Sequence, residues 1–119
     1  MTARLALAAL MLAPVAALAQ SAALTPAETA AFAAKVQPCW TPAPGTSPRV
    51  TISFAMGADG RPDPDSFAIM GTGSQDAFDA AKRAVLRCAG AGYDLPKDRH
   101  DLWDQIQMTF TADGIGSIT

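Results

Sequence analysis

A single histidine, two cysteines and no grouping of acidic side chains leave this 119-residue chain poorly supplied for metal chemistry. The cysteines, Cys39 and Cys88, do not form a Cys-x-x-Cys pair, which removes dithiol redox chemistry. Charge of one sign is also scarce. Nine Lys and Arg against eleven Asp and Glu give a formal net charge of −2, no footprint for a phosphate backbone, and so no nucleic-acid partner. No internal repeat is visible, and the length allows one domain of modest core.

The few residues with chemical potential read as structural. His100 lies in the charged turn Lys97–Asp101, an exposed polar position with no nucleophile or orienting acid indicated beside it. Asp59, Asp63 and Asp65 lack the spacing and terminal glutamate of a calcium loop. Gly71-x-Gly73 precedes a helix, but position 76 is Asp rather than a third glycine, and it would repel an anion. No catalytic, cofactor-binding or metal-binding residue is assigned, no cofactor is expected, and the chain reads as a non-enzyme.

What the chain does have begins with an address. Arg4 supplies a basic start, Leu5–Leu18 is almost wholly Ala, Leu, Met and Val, and Ala17-Leu18-Ala19 offers the small residues of a cleavage site before Gln20. As a helix, residues 5–19 would span about 22 Å, short of the roughly 30 Å hydrocarbon core. Residues 1–19 therefore read as a cleavable signal peptide, which implies a periplasmic protein with no stable membrane anchor after processing. Export also lets Cys39 and Cys88 join as a disulfide. For the long loop between them the chain-entropy model gives an upper figure of roughly 4 kcal/mol.

After a flexible leader at 20–24, Thr25-Pro26-Ala27-Glu28 is a capping box with Pro at N1, predicting an Ala-rich helix to about Val36 that Pro38 stops. Thr41–Pro48 is a loop by composition. Arg49–Met56 alternates, with Val50, Ile52, Phe54 and Met56 on one side, and predicts a half-buried strand. Asp59-Gly60 suits a reversal into a second strand over Ser66–Met70, which Pro62 and Pro64 confine to a sheet edge. Ser74 caps a second helix whose buried stripe is Phe78, Ala81, Val85 and Cys88, ended by Gly90 and Gly92. A third strand follows from Leu102 to Phe110, with Ile106, Met108 and Phe110 inward. Thr111–Thr119 reads as loose, so that the domain covers 25–113 and 114–119 is a flexible tail.

The order α-β-β-α-β predicts an α+β two-layer sandwich, with a three-stranded sheet of order 2-1-3 and both helices on one face.

Several short motifs along this order, spanning roughly Thr25 to Asp113, resemble the C-terminal domain of TolA and more distantly that of TonB. They are Cys39-Trp40-x-Pro42 after the first helix, Gly57-Ala58-Asp59-Gly60, and Gly73 before the second helix. Cys88, Leu95-Pro96, Leu102-Trp103 and Met108-Thr109-Phe110 complete the set. The resemblance implies the same sandwich fold and a periplasmic protein-binding role in a Tol-Pal-type system serving the cell envelope and outer-membrane integrity. It implies a TolB-like or other envelope protein as partner, often held by strand addition. The inner-membrane helix and the long stalk of that family have no counterpart in this sequence, so what is implied is the binding head alone.

Three strands leave two edges. Pro62 and Pro64 spoil one, whereas the third strand has no proline and only Asp104 as an outward charge. Trp103, Asp104, Gln105, Ile106, Gln107, Met108 and Thr109 are therefore the candidate partner-binding edge, where main-chain hydrogen bonds would supply affinity. Coverage of that edge by the tail or by a second copy are the competing readings. A regulatory or structural module that competes with, or assembles with, an anchored TolA/TonB-type transducer is the alternative class of function. Trp40 and Trp103 could serve as binding aromatics, but packing against the sheet or helix ends is the favoured reading for both.

Overall fold

A computed structural model describes residues 23–42 and 48–119. The signal segment 1–19, leader residues 20–22 and positions 43–47 of the expected loop lie outside the described residues.

Helix α1 spans Pro26–Val36 and starts on the full capping box: Thr25 Oγ1 accepts the Glu28 N–H at 3.1 Å, and Glu28 Oε1 accepts the Thr25 N–H at 2.8 Å. It buries Phe32 and Val36, four residues apart, and gives way to a 3₁₀ turn, Gln37–Cys39. Strand β1, Val50–Ala55, buries every second residue, as its alternation requires. Strand β2 is short, Ala68–Met70. Pro62 bridges back to Met56, and Ser66 Oγ takes the Ala55 N–H at 2.8 Å, so a side chain stands in where a strand carbonyl would serve.

Helix α2, Gln75–Cys88, is capped by Ser74, whose side chain accepts the Ala77 N–H at 3.0 Å. Its buried face is Ala77, Ala80, Ala81, Ala84 and Val85, rotated from the expected stripe. Phe78 is only half-buried, because four alanines let the helix backbone lie close where a phenyl ring would hold it off. The Cys39–Cys88 disulfide, with Cα atoms 6.0 Å apart, ties the end of α2 to the turn that follows α1.

Lys97–Leu102 winds as 3₁₀ turns broken at Arg99, and strand β3 runs from Gln105 to Thr111. The expected start at Leu102 is too early. Asp104 shares the parity of Ile106, so an extended chain there would aim its carboxylate into the core; the strand instead begins after it, with Gln105 opposite Ala55. Strand β4, Gly114–Ile118, completes a four-stranded antiparallel sheet of order β2-β1-β3-β4. The predicted 2-1-3 order is present and has gained a strand where 114–119 reads as a flexible tail.

One sheet face and both helices share a single core that includes Ile52, Phe54, Ile106, Met108, Phe110 and Val85. Leu24, at the end of the expected leader, packs against this core. Among the described residues the other sheet face is open, and across it the Thr51 and Thr109 hydroxyls lie 2.9 Å apart.

Candidate functional site

The seven residues expected to form a partner-binding edge fall into three environments. Trp103 lies outside any strand and is completely buried, its Nε1 donating to the Pro96 carbonyl at 2.8 Å. Ile106 and Met108 are core residues. Asp104, Gln105 and Gln107 are exposed and Thr109 is half-buried, the last three on the open sheet face. None of their backbone forms a free edge. β1 pairs with one side of β3 and β4 with the other, and Gln107 and Thr119 exchange N–H···O bonds of 2.9 Å in both directions. Strand addition at β3 is closed, because the last residues of the chain already occupy that flank.

The hairpin that closes it has a local cause. Ala112-Asp113-Gly114 repeats the Ala-Asp-Gly of the earlier reversal at 58–60, and Gly114 takes a φ of +127° that only glycine adopts readily. Thr111 Oγ1 accepts the Asp113 N–H at 3.3 Å and donates to the Gly114 carbonyl at 3.2 Å, fastening the turn. Beyond it, Ile115 and Ile118 pack against the core. That repeated tripeptide is the sequence signal that would have revealed a fourth strand.

The outer edges are therefore β2 and β4. The edge at β2 is three residues long and preceded by Pro62 and Pro64. The edge at β4 is longer and has neither proline nor charge. Because Gln107 and Thr119 form a hydrogen-bonded pair, Met108 and Ile118 form the next, non-bonded one, and the Ile118 N–H and C=O point away from β3. At the other end the Gln37 side chain reaches the strand, Oε1 accepting the Ile115 N–H at 3.2 Å. A shallow groove runs between this edge and α1, lined by Thr29, Ala30, Ala33 and residues 115–118. No charged residue occurs in any of the four strands.

Elsewhere the polar groups serve the fold. His100 is half-buried rather than exposed. Its Nε2 lies 2.8 Å from the Met56 carbonyl, and its ring stands edge-on to Trp103 with centroids 4.5 Å apart. Trp40 packs on Phe110 and donates from Nε1 to the Thr111 carbonyl at 2.8 Å. Burial pushes the Tyr93 phenol well above its usual range, and its hydroxyl donates to the Val85 carbonyl at 2.6 Å. Among the described residues, no three His, Cys, Asp or Glu side chains converge on a metal position, and no helix is long and apolar enough to cross a membrane.

No family model matches the chain, and no curated protein or solved structure matches it. The candidate site therefore rests on the geometry of the β4 edge.

Proposed function

We propose that this chain is an exported protein-binding module of the cell envelope, acting in the periplasm in the manner of the TolA C-terminal domain it resembles. It holds an extended segment of a TolB-like or other envelope partner along β4. The observation that carries this reading is the outward-facing N–H and C=O of Ile118 on β4 beside the α1 groove. Unsatisfied strand groups form a template for main-chain pairing, and the neighbouring groove admits the partner's alternate side chains. The absence of charge along β4 suits a partner segment of apolar and hydroxyl side chains.

Titration of the isotope-labelled processed chain with a purified TolB-type protein tests the reading. The Ile118 amide should shift and gain protection from exchange. Ile118→Pro removes the outward N–H while leaving the ladder donors of Gln107 and Thr119 in place, so it should fold and bind at least about tenfold more weakly. Binding that leaves the β4 amides unmoved, or that the proline variant retains, defeats the proposal.

A further inference from the structure

We infer that Gln37 fixes the register in which β4 takes a partner segment. Its side-chain carbonyl stands where a partner carbonyl would otherwise pair with the Ile115 N–H. Docking is thereby confined to the Ile118 end of the strand, with one large apolar side chain of the partner opposite Ile118. The register rests on the proposed docking at β4.

An added strand needs outward N–H and C=O groups, and each N–H calls for an oxygen at about 2.7–3.2 Å. At the turn-proximal end of β4 that oxygen comes from within the molecule, Gln37 Oε1 accepting the Ile115 N–H at 3.2 Å. The carboxamide lies against the Gly114 backbone. A Cβ at that position would come within 2.5 Å of Oε1 and 2.7 Å of Nε2, so glycine is what admits it.

The turn that carries Gln37 is pinned on both sides. Gln37 opens the 3₁₀ turn Gln37–Cys39, and its own N–H caps α1 on the Ala33 carbonyl. Val36 before it and Trp40 beyond it are buried, Trp40 donates to the Thr111 carbonyl at 2.8 Å, and Cys39 is bridged to Cys88. With its main chain fixed, Gln37 gives up only side-chain torsions to reach Ile115. A partner carbonyl arriving there exchanges one hydrogen bond for another. At Ile118 the N–H and C=O face away from β3, and pairing adds bonds instead.

The same geometry selects the partner's side chain. Cross-strand partners share a face of the sheet. Ile118 stands opposite Met108, a core residue, and itself packs against the core. A residue that pairs with Ile118 from outside therefore turns its side chain toward the helix side. There a hollow opens beside Ile118, walled by Leu24, Thr29 and Leu102. Among the described residues, no charged side chain lines it. The segment this site selects is an extended stretch whose one large aliphatic or aromatic residue enters the hollow and whose chain leaves β4 before Ile115.

Amide exchange in the isotope-labelled processed chain tests the plug before any partner is added. Gln37→Ala removes the acceptor at an exposed position and should speed exchange at Ile115 about fivefold, whereas Gln37→Glu, which keeps an oxygen, should not. The TolB-type protein should then protect Ile118 but not Ile115 in the parent, and should protect both in Gln37→Ala. Thr29→Glu sets a carboxylate in the hollow at a first-turn position that favours acids, so it should fold and bind at least about tenfold more weakly. Equal Ile115 exchange in the parent and Gln37→Ala, or protection of Ile115 in the bound parent, overturns the register. Unaltered affinity of Thr29→Glu overturns the apolar anchor. A titration that shifts Ile118 in no variant defeats the docking itself and the register with it, a failure told apart by Ile115 exchange rates read without a partner.

Discussion

Glu28 and Arg99 stand 71 positions apart and meet at 2.6 Å, so one carboxylate both starts the first helix and fastens it to the turn before β3. Oε1 accepts the Thr25 N–H and Oε2 the Arg99 guanidinium. The carboxyl is held below its ordinary value of 4.5, first by the Thr25 backbone N–H and then by Arg99, against an opposing cost of desolvation. A carboxyl lowered in the folded state stabilises fully above its unfolded value and loses that contribution as pH falls through the folded one. Glu28→Gln, which keeps an oxygen for the cap but loses the charge, should therefore melt lower than the parent near neutral pH. The gap should narrow as pH falls below 4.5 toward the lowered value of the folded state. A gap unchanged across thermal melts in that range would show that the charge contributes nothing.

The Cys39–Cys88 bridge joins the two helical segments that cover the sheet, and a long loop is closed by it. Cys39→Ser with Cys88→Ser should cost about 2–4 kcal/mol in urea melts, through a lower midpoint. Thiol titration of the unfolded parent without reductant should find none free.

A backbone corner is as sensitive as the bridge. Gly60 has a φ of +81°, and a Cβ there would strike the Tyr93 carbonyl, whose own N–H donates to the Gly60 carbonyl at 2.7 Å. Gly71 has a similar φ of +75° but open space around it. Gly60→Ala should thus cost about 2–4 kcal/mol, strain and clash together, while Gly71→Ala should cost only about 1 kcal/mol. Equal losses in denaturant melts would mean that the contact with Tyr93 carries no weight.

The elements legible in the sequence are those set by local chemistry. Thr25 and Glu28 announce a capping box, Ser74 an N-cap, and the alternation from Val50 to Phe54 a strand buried on one face; each is found in place. What escaped depends on neighbours. Residues 114–118 have a weak apolar pattern of two isoleucines among glycines and serine, and become a strand because β3 offers them an edge and the core receives Ile115 and Ile118. Trp103 looks like an edge aromatic only if the strand extends to it, and the buried-charge problem at Asp104 ends the strand first. His100 sits in a run of charges that suggests solvent, yet the Met56 carbonyl at the end of β1 needs a partner and the imidazole reaches it. The candidate edge moved by one strand for these reasons: its chemistry was readable, its occupancy was not.

Trp103 consequently belongs to stability. Trp103→Phe would remove the donor to the Pro96 carbonyl, which keeps the Arg99 N–H at 3.1 Å, and would leave a cavity in a completely buried site. The expected loss is about 1–3 kcal/mol. Affinity for a partner on β4 should be unaffected under conditions where the variant is folded, as a titration on the folded protein would show.

Two proline substitutions report which strand is outermost. The Gln107 N–H donates to Thr119 inside the sheet, so Gln107→Pro breaks a β3–β4 ladder bond and crowds a strand that has neighbours on both sides. Its expected cost is about 2–4 kcal/mol in denaturant melts. Ile118→Pro deletes an N–H that faces solvent and keeps an apolar ring against the core, so its cost should stay under about 1.5 kcal/mol. If β3 were instead the outer strand, the Gln107 N–H would have no partner and its replacement would be the milder of the two. The order of the two melting midpoints thus decides whether residues 114–118 close the sheet in solution, independently of any binding measurement.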